Sequence, residues 1–237
     1  MYWYIRFGWL ENPFVIKPNT ALIGLDSGKE MLINYVESET MSALIGDVGV
    51  GKTSLLLWLK ENAVKNAVYI NGMNVKTEED FKTVMRKHRS FWDKIRRRFC
   101  PKNAVVLIDE AQYLTSSFTE MLRRMYDENM IKSIVIAASS TQQANLTEPF
   151  LHRIGDRIVT LCKLSENDVI GIINSRTEGN NPFKEDAMKM IGSFSGYNPR
   201  KVLENCEKVA MRINKEEDIG SEDVEKILGA KKKMGVS

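Results

Sequence analysis

The sequence, 237 residues long, predicts a three-layer α/β domain on a parallel sheet, followed by a small helical domain. Three observations predict it. Gly46-Asp47-Val48-Gly49-Val50-Gly51-Lys52-Thr53 fills the pattern G-x-x-x-x-G-K-[ST] without a gap, between an apolar run and an amphipathic helical stretch. Short apolar runs alternate with segments of helical period, the signature of strands joined by helical crossovers. Beyond Ser165 the apolar runs stop and only helical periodicity remains.

Composition narrows the class. With 43% hydrophobic and 27% charged residues the chain reads as a soluble globular protein long enough for one ordinary domain and a smaller second one. A net charge of +3 is too small to create an attractive field for nucleic acid by itself, so any such affinity must come from local clusters. Cys100, Cys162 and Cys206 are far apart and lack a C-x-x-C spacing. They suit a reducing, cytoplasmic setting and neither a disulfide framework nor a zinc site. No apolar run reaches the length of a membrane span, and the aromatic start lacks the basic region and cleavage site of a signal peptide.

The elements follow in order. Tyr2, Trp3, Tyr4, Phe7, Trp9 and Phe14 precede the first strand, with Asn12-Pro13-Phe14 as a turn. They form either a flap on the core or, with Leu22, Ile23 and Gly24, part of the wall around a flat base such as adenine. A helix is expected over 27–36, a buried strand over 41–45, and a helix over 53–63 carrying Leu55, Leu56, Trp58 and Leu59. In that strand-loop-helix setting the glycines let backbone N–H groups and the helix N-terminus turn toward the β- and γ-phosphates of a nucleotide. Lys52 is suited to contact those phosphates, Thr53 to hold Mg²⁺, and Ser54 lies directly behind them.

A second strand, 67–70, closes at Asn71-Gly72. Thr77 and Asp80 resemble a capping box and open a long helical pattern, with Phe81, Val84, Met85, His88, Trp92, Ile95 and Phe99 as its buried stripe. On that stripe His88 reads as a core histidine. The opposite face carries Lys82, Arg86, Lys87, Arg89, Lys94, Arg96, Arg97 and Arg98, either a solvated face or a surface for nucleic acid.

The apolar run 104–108 reads as a central strand ending in Asp109-Glu110, on the rim where ligands bind in open α/β sheets. Asp109 is suited to help hold Mg²⁺ and Glu110 to polarise an attacking water. Phe118, Met121, Leu122 and Met125 mark the next helix. Residues 134–138 form a strand ending in Ser139-Ser140-Thr141, 149–153 a short helix, and 157–161 the last strand. In the helical part, Ser165 with Asp168, Asn181-Pro182 and Asn198-Pro199 read as helix starts, and 221–228 as the final helix. The division expected is 1–163 for the α/β domain, 164–230 for the helical one, and 231–237 for a basic flexible tail with Lys231, Lys232 and Lys233.

Four ordered motifs, G-D-V-G-V-G-K-T, V-V-L-I-D-E-A-Q-Y-L, L-H-R-I-G-D-R-I and S-G-Y-N-P-R-K-V-L, resemble the AAA+ ATPases over nearly the whole chain. The early E-N-P-F, the D-E-A-Q and the late G-x-x-P-R are most similar to ExeA and TniB-type ATPases and to archaeal origin-recognition initiators. The resemblance implies a P-loop NTPase sheet of order 5-1-4-3-2, a helical lid, ATP with Mg²⁺, and a nucleotide held between neighbouring copies in a ring or helical assembly. By position it implies Lys52 and Thr53 as Walker A, Asp109 and Glu110 as Walker B, Arg153 or else Arg157 as an arginine finger, and Arg200 as the sensor of the lid. Many relatives place Asn at the end of the fourth strand, where this chain has Ser139 and Ser140; a hydroxyl offers fewer hydrogen bonds to water, so slow intrinsic turnover is expected. Origin-recognition initiators follow the lid with a winged-helix domain, and origin reading of that kind is not expected of this sequence.

The functional expectation is a DNA-associated ATPase of replication, helicase loading or transposition type, with the DNA contacts at Arg89, Lys94, Arg96, Arg97 and Arg98 and little sequence preference. An ExeA-like assembly motor or nucleotide-gated switch acting on an unknown protein client is the alternative.

Overall fold

The computed structural model describes residues 2–17, 22–140, 145–214 and 216–229. Thr141 and the basic tail lie outside them. The chain divides into two compact units, Pro18–Leu161 and Met1–Lys17 with Cys162–Ser237.

The first unit holds β1 (Met41–Ile45), β2 (Ala67–Asn71), β3 (Ala104–Asp109), β4 (Ile131–Ala138) and β5 (Ile158–Thr160) in one parallel sheet of order β2-β3-β4-β1-β5. This is the expected 5-1-4-3-2 order. Its helices are α1 (Asp26–Glu37), α2 (Lys52–Trp58, extended by a π-helical turn Leu59–Ala63), α3 (Glu78–Lys87), α4 (Phe91–Ile95), α5 (Ser116–Asp127) and α6 (Glu148–Ile154). Every residue of β3 is buried because its side chains alternate between two cores. Val106 and Ile108 meet Phe81, Met85, Phe118 and Leu122 on one face. Val105 and Leu107 meet Leu32, Leu55, Leu56 and Leu59 on the other. Those are the three layers, and in a parallel sheet all strand C-termini share one rim.

The long helix expected after β2 is two helices. Thr77 and Asp80 form the capping box that starts α3, but Ser90 and Asp93 form a second one that starts α4. The intervening residues leave the helix, so the 3.6-residue stripe does not carry through. His88 is correspondingly an exposed C-cap, its Nδ1 3.0 Å from Val84 O, and not a core histidine. Trp92 and Ile95 are 65% and 55% exposed.

In the second unit α7 (Glu166–Thr177), α8 (Glu185–Phe194), α9 (Pro199–Arg212) and α10 (Ser221–Val224) enclose a separate core. The α9 start is as the sequence predicts, with Asn198 capping Lys201 N–H and Pro199 at the first helical position. The α8 start is not. Asn181 accepts from Phe183 N–H at 3.0 Å in a local turn, and Phe183 pairs in parallel with Ile219, which requires extended backbone there; α8 begins only after Lys184.

The aromatic start also differs from expectation. Trp3–Phe7 forms a 3-10 helix, and Phe7, Trp9 and Phe14 are buried among Val169, Ile173, Phe183 and Val209 of the helical unit. Trp9 Nε1 donates to Asn180 O at 3.1 Å, Asn180 Nδ2 to Phe7 O at 2.7 Å, and Arg6 to Ala210 O. A bundle of short helices is too small to bury a sufficient core alone, and these rings supply the missing apolar area.

Candidate nucleotide-binding site

β1 delivers the chain to the glycine loop at the C-terminal rim, and α2 leaves it. Gly51 caps α2 with φ at 107°, a left-handed backbone that a side chain would strain. Lys52 is buried, its Nζ donating to Gly46 O at 2.6 Å and Asp47 O at 3.0 Å. The ammonium is thereby held inside the loop at the start of a helix, where the backbone partial charge favours an anion.

Two strands over, Asp109 ends β3 and is 2% exposed. Its Oδ2 accepts from Thr53 Oγ1 at 2.6 Å and from Tyr69 OH at 2.9 Å, and its Oδ1 from Glu110 N–H at 3.0 Å. Burial and then the Asp109 carboxylate push the Tyr69 phenol well above its usual range, so it stays a donor. A buried carboxylate reached by neutral donors, with a hydroxyl beside it, is a set of hard oxygen ligands that fits Mg²⁺. Glu110 follows in the left-handed region, φ 54°, which turns its side chain out of the strand direction, and Gln112 Nε2 donates to its carboxylate. Gly72 makes this turn possible: a Cβ there would lie 2.7 Å from Glu110 O.

The structure therefore brings Lys52, Thr53, Asp109 and Glu110 to one rim. Ser139 and Ser140 follow β4 at the same rim, half-buried. Tyr69 and Gln112 were not singled out by sequence. Gln112 is in the D-E-A-Q string; for Tyr69 the only signal is alternation along β2, where Val68 and Ile70 face one core and Tyr69 the other side.

The arginines lie elsewhere. Arg153, in the last turn of α6, makes a two-point ion pair with Asp127, Nε to Oδ1 at 2.8 Å, and holds that carboxyl below its usual range. Arg157 donates through Nε to Met41 O at 3.0 Å and also bonds Arg153 O. Met41 begins β1, so both arginines stand at the N-terminal rim, the end of the sheet away from the glycine loop. Arg96, Arg97 and Arg98 are exposed and follow α4 in a turn, with Arg97 at φ 52°. They do not extend a helix opposite an apolar stripe. Asn66 Nδ2 donates to Lys102 O and Cys100 Sγ to Met130 O, which ties this segment to the starts of β2 and β4, again at the N-terminal rim. Arg89 donates to Arg98 O at 3.0 Å, and Lys94 is exposed. Arg200 is exposed in the first turn of α9, in the helical unit.

A glycine loop that leads into a helix, beside a buried carboxylate two strands away, places the molecule in the P-loop nucleotide-binding class. Comparison with known proteins narrows this. A family model described as an AAA domain matches residues 38–166, more than half of the chain. General secretion pathway protein A of Aeromonas hydrophila is 26% identical across 85% of this chain, which spans 43% of that protein's length. Among solved structures, the fold is similar to the Thermotoga maritima RuvB Holliday junction branch migration motor, with a TM-score of 0.70 at 19% identity over 90% of this chain and 72% of that one. It is also similar to Drosophila ORC bound to DNA, TM-score 0.66 at 16% identity over 99% and 66%. Cdc6p from Pyrobaculum aerophilum gives 0.66 at 15% over 84% and 64%. The chain belongs to the AAA+ ATPase family. Membership implies nucleotide binding, usually with Mg²⁺. No helix among the described residues is long and apolar enough to cross a membrane.

Proposed function

We propose that this protein binds and hydrolyses ATP, assembles with copies of itself when ATP is bound, and acts on DNA. The observation that carries the reading is the hydrogen-bonded set Thr53, Asp109 and Tyr69 beside Lys52 and Glu110, on a sheet whose opposite rim carries Arg153. Lys52 offsets phosphate charge; Thr53 and Asp109 would hold Mg²⁺, which supplies further charge neutralisation on the phosphoryl oxygens. Glu110, oriented by Gln112, aligns a water and takes its proton as the phosphoryl group transfers; Ser140 or Ser139 offers that water a hydroxyl. Arg153 stands at the far rim from its own glycine loop, so a role at the transferring phosphoryl group requires a neighbour's site. Arg200 is the proposed reporter of nucleotide state in the lid.

Tyr69 is a positioning residue in this scheme. Tyr69→Phe should raise the Mg²⁺ concentration needed for tight binding of a fluorescent ATP analogue by about tenfold, as loss of an outer hydrogen bond to a metal ligand typically does. Binding without Mg²⁺ should be unchanged. An identical Mg²⁺ titration in the variant removes Tyr69 from the site.

DNA action is supported by the exposed Lys94, Arg96, Arg97 and Arg98 and by the fold shared with RuvB and ORC. Replacing Arg96, Arg97 and Arg98 together by Ala should weaken binding to a random duplex and flatten the log affinity–log salt slope by roughly 2 to 3, since each lost phosphate contact removes about 0.9. Unchanged affinity and slope in a variant that still binds ATP would exclude these residues. A protein client is the second reading, favoured by the sequence likeness to General secretion pathway protein A. ATPase turnover that DNA leaves unaltered would favour it.

A further inference from the structure

We propose that α4 is a stacking platform for unpaired nucleic-acid bases, so that the strand this protein engages is single-stranded. The inference rests on the DNA reading and specifies its substrate. Phe91 and Trp92 are 70% and 65% exposed, and Ile95, one turn on from Phe91, is 55% exposed. Rings of this size rarely stand in solvent as a group without a partner to cover them. The two rings contact each other edge to face at 5.8 Å, so they present faces in two directions.

The platform is held rigidly. Ser90 Oγ accepts from Asp93 N–H at 3.2 Å while Asp93 Oδ2 accepts from Ser90 N–H at 3.1 Å. Asp93 Oδ1 also accepts from Lys102 N–H at 3.3 Å, and Arg98 N–H donates to Asp93 O at 2.9 Å. The buried Asp93 carboxylate thus fixes the start of α4 and the approach to β3, and the Asp93 backbone carbonyl fixes the arginine turn. Its negative charge points inward. The charges that face outward beside the rings are Lys94, Arg96 and Arg97, and among the described residues no carboxylate pairs with them.

Cations alone attract any polyanion, duplex or single-stranded, or an acidic protein. The rings decide between these. Bases in a duplex are stacked on one another and offer no free face, whereas unpaired bases stack on aromatic side chains, with phosphates tracking adjacent cations. Every base has such a face, so binding should be insensitive to sequence.

The test compares the whole protein with Phe91→Ala/Trp92→Ala and with the Arg96, Arg97, Arg98 triple-alanine variant, each checked for ATP binding as a sign of intact folding. The probes are an oligothymidine and a random duplex. The aromatic variant should lose about tenfold or more in affinity for the oligothymidine, keep its salt slope, and bind the duplex as before. The arginine variant should lose affinity for both. Equal oligothymidine affinity in the aromatic variant overturns the platform, and if the arginine variant is still impaired the DNA reading survives. Loss of neither affinity in either variant overturns both. A change confined to self-association in sedimentation, or to binding of anionic vesicles, would assign the rings to a subunit interface or a lipid surface and overturn the platform.

Discussion

Glu110→Gln is expected to bind ATP as the unaltered protein does and to hydrolyse it at least 100-fold more slowly, the usual minimum for removal of a positioned general base. The side chain keeps its length and its place in the left-handed turn, and the backbone N–H of residue 110 still reaches Asp109. The carbonyl of the new amide can accept from Gln112 as the carboxylate does. What is lost is the basic oxygen that, in the proposed mechanism, takes the proton of the attacking water. Phosphate release in steady state, set against affinity for a fluorescent ATP analogue, measures the two effects separately. Near-normal turnover would remove Glu110 from the chemistry.

Arg153→Ala should lower turnover by a factor of about 10³ to 10⁵, the range an arginine supplied to a transferring phosphoryl group contributes. ATP affinity of the isolated subunit should be unaffected. The ion pair lost with Asp127 is half-exposed to solvent, so little stability goes with it. Asp127 keeps Arg123 as a partner. Mixing this variant with Glu110→Gln separates two roles. If Arg153 serves the neighbouring subunit, interfaces that pair an intact Glu110 with an intact Arg153 form in the mixture and part of the activity returns. No recovery at any ratio, with mixed assemblies verified by mass, assigns Arg153 to its own subunit or to structure.

Much of this molecule can be read from its residues. The glycine loop, the buried run ending in Asp109-Glu110 and the alternation of strand and helix are local patterns with stringent backbone demands, and the sheet order follows from the family resemblance. What escaped lies where local signals compete. Ser90 and Asp93 are a capping pair as legible as Thr77 and Asp80, yet the apolar residues on both sides fall at helical spacing and obscure the break. Asn181-Pro182 has the form of a helix start, but pairing of Phe183 with Ile219 pulls the backbone straight. Tyr69 and Asp109 are 40 residues apart and meet only because β2 and β3 are neighbours. A contact of that kind depends on strand register, which no window of sequence contains.

The burial of Phe7, Trp9 and Phe14 among α7, α8 and α9 has a consequence for biosynthesis. Synthesis runs from the amino end, so these rings are made well before their partners, which begin at residue 162, 145 residues after residue 17. At ordinary elongation rates, about 5 to 20 residues per second, the delay is roughly seven to thirty seconds. The intervening segment, which carries the glycine loop and the whole sheet, is long enough to fold during that wait, and residues 2–17 have to stay unaggregated until the helical residues arrive. Arg6 and Ala210, 204 positions apart, close the largest such loop among these contacts. The helical unit is therefore a late, high-contact-order step, and a chain lacking residues 2–17 would keep its P-loop but have an open helical core.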